Sequence, residues 1–255
     1  LTNPPPSWGG ALIALALELL AARPRGRDAP WGDPQGLLEL VEVMGLVNES
    51  RLAAGELPAA APLAAELDRR VLSRRGTTQI SIADHLGNLA SMTVSNGEGC
   101  GRLVPGTGVM LNNMLGEQDL NPEGFHRWTP DRRLASMMAP SLVELADGAR
   151  VATGSGGSNR IRSAVLQVLL NLVDHGMDVA GAVAHPRVHF EDGHLSVEDG
   201  LPAPALEALT RCHPSHHLWP ERNLFFGGAH SVGIGPSGAM AGAGDPRRGG
   251  VCLAL

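Results

Sequence analysis

At Gly76 the character of this chain changes, and that change limits its architecture more than any other feature. Upstream, Ala- and Leu-rich runs are separated by prolines and glycines. Downstream come short β-branched or alternating stretches punctuated by turn residues. Residues 78–83 and 89–94 flank Asp84-His85-Leu86-Gly87-Asn88 and predict an antiparallel hairpin. Residues 141–145 and 150–153 predict a second, turning at Asp147-Gly148. Further strands are expected at 109–111, 187–190, 195–197 and 231–234. Helices are expected at 10–22, 37–44, 63–74, 160–174, 179–184 and 204–211. In the fourth of these, Ile161, Val165, Leu169, Leu172 and Val173 recur at helical spacing. Ser7 suits the N-cap of the first. Residues 23–36 carry Pro24, Gly26, Pro30, Gly32, Pro34 and Gly36 and predict a loop. Hairpins and helices do not alternate one for one, which predicts α+β layers over a doubly wound sheet.

Composition removes several chemistries. All 20 cationic side chains are Arg, and there is no Lys and no Tyr. That excludes a Schiff-base or P-loop lysine and a tyrosine acid. The net charge of −6 offers no broad basic field for nucleic acid, and 3% aromatics offer few stacking platforms. The expected partners therefore exclude nucleic acid. Cys100, Cys212 and Cys252 are too few and too scattered for a disulfide framework or a cysteine-rich zinc site. The longest apolar run, residues 11–22, contains Glu18 and is too short to span a bilayer. The sequence gives no compartment.

Three familiar strings fail on context. Gly233-Ile234-Gly235-Pro236-Ser237-Gly238 has the G-x-G-x-x-G form, but Pro236 removes an amide and no long helix follows, so a turn between strands is expected. Gly154-Ser155-Gly156 approaches a nucleophile elbow with Thr153 in place of its first glycine; a backbone-donating turn ahead of the helix at Arg160 is the better reading. His185, His189 and His194, and His213, His216 and His217, match no zinc spacing; both groups are expected at the surface or in loops. Glu117, Asp119 and Asp131 read on composition as solvated charges. No metal and no cofactor are expected. Gly76-Thr77-Thr78-Gln79-Ile80-Ser81 remains. By itself it is a threonine-rich strand entry. If the Gly76–Thr77 bond were cut, however, Thr77 would carry both a hydroxyl nucleophile and an α-amine titrating near pH ~8. One residue would then supply nucleophile and general base.

From here the chain resembles a known family. Asn3-Pro4-Pro5-Pro6-Ser7-Trp8-Gly9-Gly10, Gly76-Thr77-Thr78-Gln79-Ile80-Ser81-Ile82-Ala83-Asp84 and Gly87-Asn88 are followed by Gly106-Thr107-Gly108-Val109-Met110-Leu111-Asn112-Asn113. Then come Ser136-Met137-Met138-Ala139-Pro140, Gly154-Ser155-Gly156-Gly157-Ser158-Asn159-Arg160-Ile161 and Gly244-Asp245-Pro246-Arg247-Arg248-Gly249-Gly250. Pieces in this order resemble the gamma-glutamyltransferases (gamma-glutamyl transpeptidases, glutathione hydrolases), which are N-terminal nucleophile hydrolases. The resemblance implies a four-layer αββα sandwich and self-cleavage between Gly76 and Thr77. Residues 1–76 would end the large subunit, and 77–255 would be the small, catalytic one. The N-terminal portion of the large subunit, with the family's carboxylate-binding arginine, is expected outside this chain and as its partner.

The resemblance also implies roles. Thr77 would attack the γ-glutamyl carbonyl of a glutathione-like substrate, and the acyl group would pass to water or to an amino acid or peptide amine. Thr78 and Ser95 stand where hydroxyls orient the nucleophile. The oxyanion donors would be the amides of Gly156 and Gly157, or of Gly157 and Ser158, since the family's intervening proline is missing. Asn96 falls near a substrate-binding asparagine and Glu117 where an aspartate binds the substrate ammonium. Ser136 matches one of two carboxylate-binding serines, with Ala135 in place of the other. Gln79 stands where many members have His. Ala135 and Glu117 motivate an alternative, an acylase for glutaryl or β-lactam side chains. Leu1 motivates another, an unprocessed, non-catalytic fragment.

Overall fold

The computed structural model describes residues 1–4, 7–24, 29–53, 76–97, 99–117, 120–121, 124–131 and 133–255. The helix expected at 63–74 and Asp119 lie outside the described residues.

The hairpin after Gly76 forms as its alternation dictates. Strand β1 (Thr77–Ala83) pairs antiparallel with β2 (Leu89–Ser95), from Thr77 opposite Ser95 to Ala83 opposite Leu89. Asp84 closes the turn by accepting the N–H groups of Leu86 and Asn88. The second hairpin is β3 (Ser141–Glu144) with β4 (Arg150–Thr153), followed by the two-residue β5 (Ser155–Gly156). The central helix α3 (Arg160–Val173) leads to α4 (Val179–Ala184). Next come β6 (Val188–Glu191), β7 (His194–Glu198), helix α5 (Ala203–Cys212) and β8 (His216–Trp219), then β9 (Gly228–Ala229), β10 (Ser231–Ile234) and β11 (Met240–Ala243). Helices α1 (Trp8–Ala21) and α2 (Pro34–Ala53) precede them all.

The main sheet has the order β11-β10-β4-β3, and the β1–β2 hairpin packs on it face to face. Helices α3 and α4 cover its other side. A second cluster joins α1, α2, α3, α5 and the β6–β7–β8 sheet around Val41, Val43, Val165, Leu195 and Leu209. Helix α3 touches both clusters, so Ile161 through Leu172 are all buried and only Val173, expected on the apolar face, is largely exposed at its end. Among the described residues no helix is long and apolar enough to cross a membrane.

Several expectations need correction. Residues 109–111 form no strand; a single bridge joins Met110 to Leu103. Gly106 and Gly108, both at positive φ, turn the chain just ahead of this tract, and Val104 N–H then donates to the Val109 carbonyl and Leu111 N–H to the Arg102 carbonyl, a pairing too short to make a strand. Helix α2 starts at Pro34, inside the expected loop, because proline fits the first turn of a helix. It also runs well past Met44, carried by burial of Val43, Met44 and Val47. Ser7 holds the N-cap position, but its hydroxyl bonds Ser136; the Ser136 carbonyl accepts the N–H groups of Trp8 and Gly9 and so caps the helix instead. The Gly233–Gly238 string is, as expected, a turn joining β10 to β11.

Candidate active site

Thr77 opens β1 and Ser95 closes β2, so cross-strand pairing puts both side chains on one face. Their hydroxyl oxygens lie 2.8 Å apart. The Ser95 hydroxyl also accepts the Gly97 N–H at 3.1 Å. Pairing continues one step beyond the strands: Asn96 N–H donates to the Gly76 carbonyl at 3.3 Å, and Gly76 N–H donates to the Gly97 carbonyl at 3.0 Å. The Gly76–Thr77 bond is therefore held as an extension of the ladder.

The inner face of this hairpin is polar. Gln79 is buried, donates to Ser81 and Ser91 at 2.9 Å and accepts from Thr93. Ser91 donates to the Thr153 carbonyl at 2.7 Å and Ser81 to the His230 carbonyl at 2.8 Å. The hairpin that begins at Thr77 is thus fastened to the main sheet by hydroxyls. The outer face carries Thr78, Ile80, Ile82, Met92 and Val94, all exposed. Thr78 consequently points away from the Thr77 hydroxyl, as alternation along a strand requires.

Strand β5 comes against this start from the side. A Cβ on Gly156 would sit 2.7 Å from the Thr77 carbonyl oxygen, so only glycine permits the approach. Gly157 (φ 142°) and Ser158 (φ 53°) then turn the chain into α3, whose first amides bond back to the Gly157 and Ser158 carbonyls. The segment expected as a turn is thus a short strand followed by a turn. Gly156 pairs with Gly228 of β9, and Ser155 accepts the Gly228 N–H at 3.1 Å.

Behind β9 lies a buried ion cluster that sequence reasoning did not single out. Asp245 accepts the Ala229 N–H at 2.9 Å and pairs with Arg187 at 2.7 Å. Arg247 pairs with both Asp245 and Glu198, all fully buried. Burial raises the Asp245 pKa, but Arg187 and Arg247 more than offset that and hold it below the usual carboxylate range. The block Gly244–Gly250 marks this loop in the sequence, although nothing in it reveals the partners at 187 and 198.

In front of Thr77 is an open cleft lined by Thr77, Ser95, Gly97, Met114, Glu117, Leu120, Ser136, Met137, Met138, Ser158 and Ile161. It gathers five expected site residues: Thr77, Ser95, Glu117, Ser136 and Ser158. Glu117 supplies its only charge among the described residues. The Ser136 hydroxyl lies 3.0 Å from that of Ser7, so the N-terminal segment fixes this wall. Gly156 sits beside Thr77 and Gly157 beside Gly227, both outside the lining. Asn96 is also outside it; its carboxamide oxygen abuts Gly76. Met114, Leu120 and Ile161 carry no sequence signal for a cleft.

The histidine expectation fails at one position. His189 is 3% exposed in β6. Its Nδ1 lies 2.7 Å from the Ser163 hydroxyl and its Nε2 3.3 Å from Glu191. Burial pushes His189 down. Burial also raises the Glu191 carboxyl, but the hydrogen bond to His189 and the charges of Arg162 and Arg160 outweigh that and bring it to about 2. Strand alternation puts His189 inward; a histidine count does not reveal it. Among the described residues no group of three or more His, Cys, Asp or Glu could hold a metal ion.

Comparison with known proteins adds the following. The family model described as gamma-glutamyltranspeptidase matches residues 58–255. The acylase ACY 1 proenzyme of Pseudomonas sp. (strain SE83) is 27% identical over 99% of this chain and 49% of its own length. The glutathione hydrolase proenzyme of Bacillus subtilis (strain 168) is 31% identical over 70% of this chain and 31% of its own length. The chain thus spans about half, or less, of the curated relatives it matches. The crystal structure of a cephalosporin acylase from Bacillus halodurans superposes on all of this chain and 50% of its own, with a TM-score of 0.72 at 20% identity, a likeness of fold.

Proposed function

We propose a function from one premise, that this chain belongs to the gamma-glutamyltranspeptidase family of N-terminal nucleophile hydrolases: Thr77 is its nucleophile, and cutting of Gly76–Thr77 makes residues 77–255 the catalytic subunit and 1–76 the end of the larger one. The observation that carries this reading is the 2.8 Å contact between the Thr77 and Ser95 hydroxyls, immediately after a peptide bond held in the ladder. Once cut, the Thr77 α-amine takes the hydroxyl proton as Oγ1 attacks an amide carbonyl. The Ser95 hydroxyl orients Oγ1. Amides of the Gly156–Ser158 turn stabilise the oxyanion; a donor of this kind contributes roughly 3–4 kcal/mol. The amine then returns the proton to the departing nitrogen, and an acyl ester on Thr77 remains. Water, or the amine of an amino acid or dipeptide, releases it.

The substrate we assign is a γ-glutamyl amide such as glutathione, with Glu117 on the substrate ammonium and Ser136 on its carboxylate. The rest of the large subunit supplies the cation for that carboxylate and covers the exposed outer face of the hairpin. A second reading has its own support. Met114, Leu120, Met137, Met138 and Ile161 make much of the cleft apolar, and a relative named as an acylase aligns over nearly the whole chain. In that reading the acyl group is a glutaryl or related side chain. Rates on a γ-glutamyl anilide and on a glutaryl amide separate the two. The first reading predicts turnover of the anilide; turnover of the glutaryl amide alone overturns it.

A further inference from the structure

Asn96 holds a position that the proposed chemistry leaves without a task. It lies outside the cleft lining, so it is not arranged to touch a substrate there. Its backbone N–H bonds the Gly76 carbonyl. Its side-chain Oδ1 is buried and has no hydrogen-bond partner in the uncut chain. That same oxygen lies against Gly76, in the space any Cβ there would need. A buried carbonyl oxygen without a donor is costly, because it has given up water and gained nothing in return. The fold keeps one next to the bond that the proposed cleavage would break.

Cleavage changes this surrounding in a definite way. The C–N bond between Gly76 and Thr77 breaks and a water is consumed, leaving a carboxylate on Gly76 and an amine on Thr77. When Gly76 withdraws, it vacates the space against Oδ1. The new amine belongs to the residue next to Gly76, the first of β1, and has hydrogens to donate. It has lost the only acyl partner it had, and Oδ1 has never had one. We propose that Asn96 Oδ1 accepts a hydrogen bond from the Thr77 α-amine in the cut protein and so aims the amine's lone pair at Oγ1. Asn96 is then a positioning residue for the general base. The inference rests on the reading of Thr77 given above.

The test uses the complete gene product, with cutting confirmed by intact mass, and pH profiles of kcat and kcat/KM on whichever amide the wild type turns over. Glu117 is the titratable side chain lining the cleft beside Thr77, and Glu117→Gln identifies the limb that belongs to the amine. Asn96→Asp puts a carboxylate where the amide oxygen stood. An opposite charge at that distance raises the pKa of an amine by about 1–3 units, so the acid limb should move to higher pH by at least one unit. Asn96→Ala should be cut, keep KM within about twofold and lose kcat by at least tenfold, the loss of one buried hydrogen bond to a charged or reacting group. Should the aspartate variant remain uncut, Asn96→Ser replaces it, with the same expected fall in kcat at constant KM. An unmoved limb in Asn96→Asp, or a rise in KM at constant kcat in Asn96→Ala or Asn96→Ser, overturns the proposal. Failure of the Thr77 reading shows itself separately, in a wild type that works uncut.

Discussion

A single hydroxyl pair carries the site. Ser95 faces Thr77 only because both lie on the same side of a seven-pair hairpin, and its hydroxyl is itself held by the Gly97 amide. Ser95→Ala keeps the strand and removes the partner. It should slow both self-cutting and turnover by about 10–100-fold, since a lost hydrogen bond to the reacting hydroxyl is worth roughly 1.5–3 kcal/mol. Timed intact mass reads the first effect and steady-state rates read the second; unchanged rates would remove Ser95 from the account. The place of Thr77 at a strand entry was legible in the sequence, because glycine breaks the preceding pattern and the alternation begins at once; the role proposed for it is a separate matter. The facing of Thr78 was not legible: its neighbour's hydroxyl suggests a shared task, and strand alternation separates them. His189 was hidden for the same reason, since its inward direction depends on the register of β6 with β7.

Elements were read best where period and punctuation agree. The β1–β2 hairpin, β3–β4, α3 and α4 stand close to their expected bounds. Strands β5 and β9, two residues each, and β8 have too little pattern to be read, because pairing with residues distant in sequence creates them. The turn proposed to hold the oxyanion depends on just such an element. Asp245 holds β9 through the Ala229 amide, and β9 holds β5. Asp245→Asn leaves Arg187 with a buried, uncompensated charge and should destabilise the protein by about 3–5 kcal/mol. Calorimetry should show a Tm lower by on the order of 10 °C; a Tm within about 2 °C of wild type would contradict the buried pairing. Acid acts on a second polar cluster. His189 is kept neutral by burial, so the unfolded chain binds more protons than the native one below pH ~6.5, and stability falls as pH drops from there. Glu191, held at about 2, adds a further loss as pH falls from its ordinary value of 4.5. Urea midpoints should decline from about pH 7.5 to about pH 4, and His189→Gln should flatten the upper part of that decline. A midpoint that rises on acidification would contradict the assignment.

The whole molecule is an α+β sandwich whose first hairpin is turned inside out. Its polar face looks into the protein and builds the site, while Ile80, Ile82, Met92 and Val94 are 40–55% exposed on the other. Apolar side chains at alternate positions on a hairpin ordinarily mark the core side, so the sequence predicts the strands correctly and leaves their facing open. The account depends on the state of one peptide bond. Intact-mass analysis of the complete gene product, taken alongside amide turnover, tests it most directly. A separate piece beginning at Thr77 should accompany activity, and Thr77→Ala should remain whole and inert. An active protein in which Gly76 and Thr77 are still joined would contradict it.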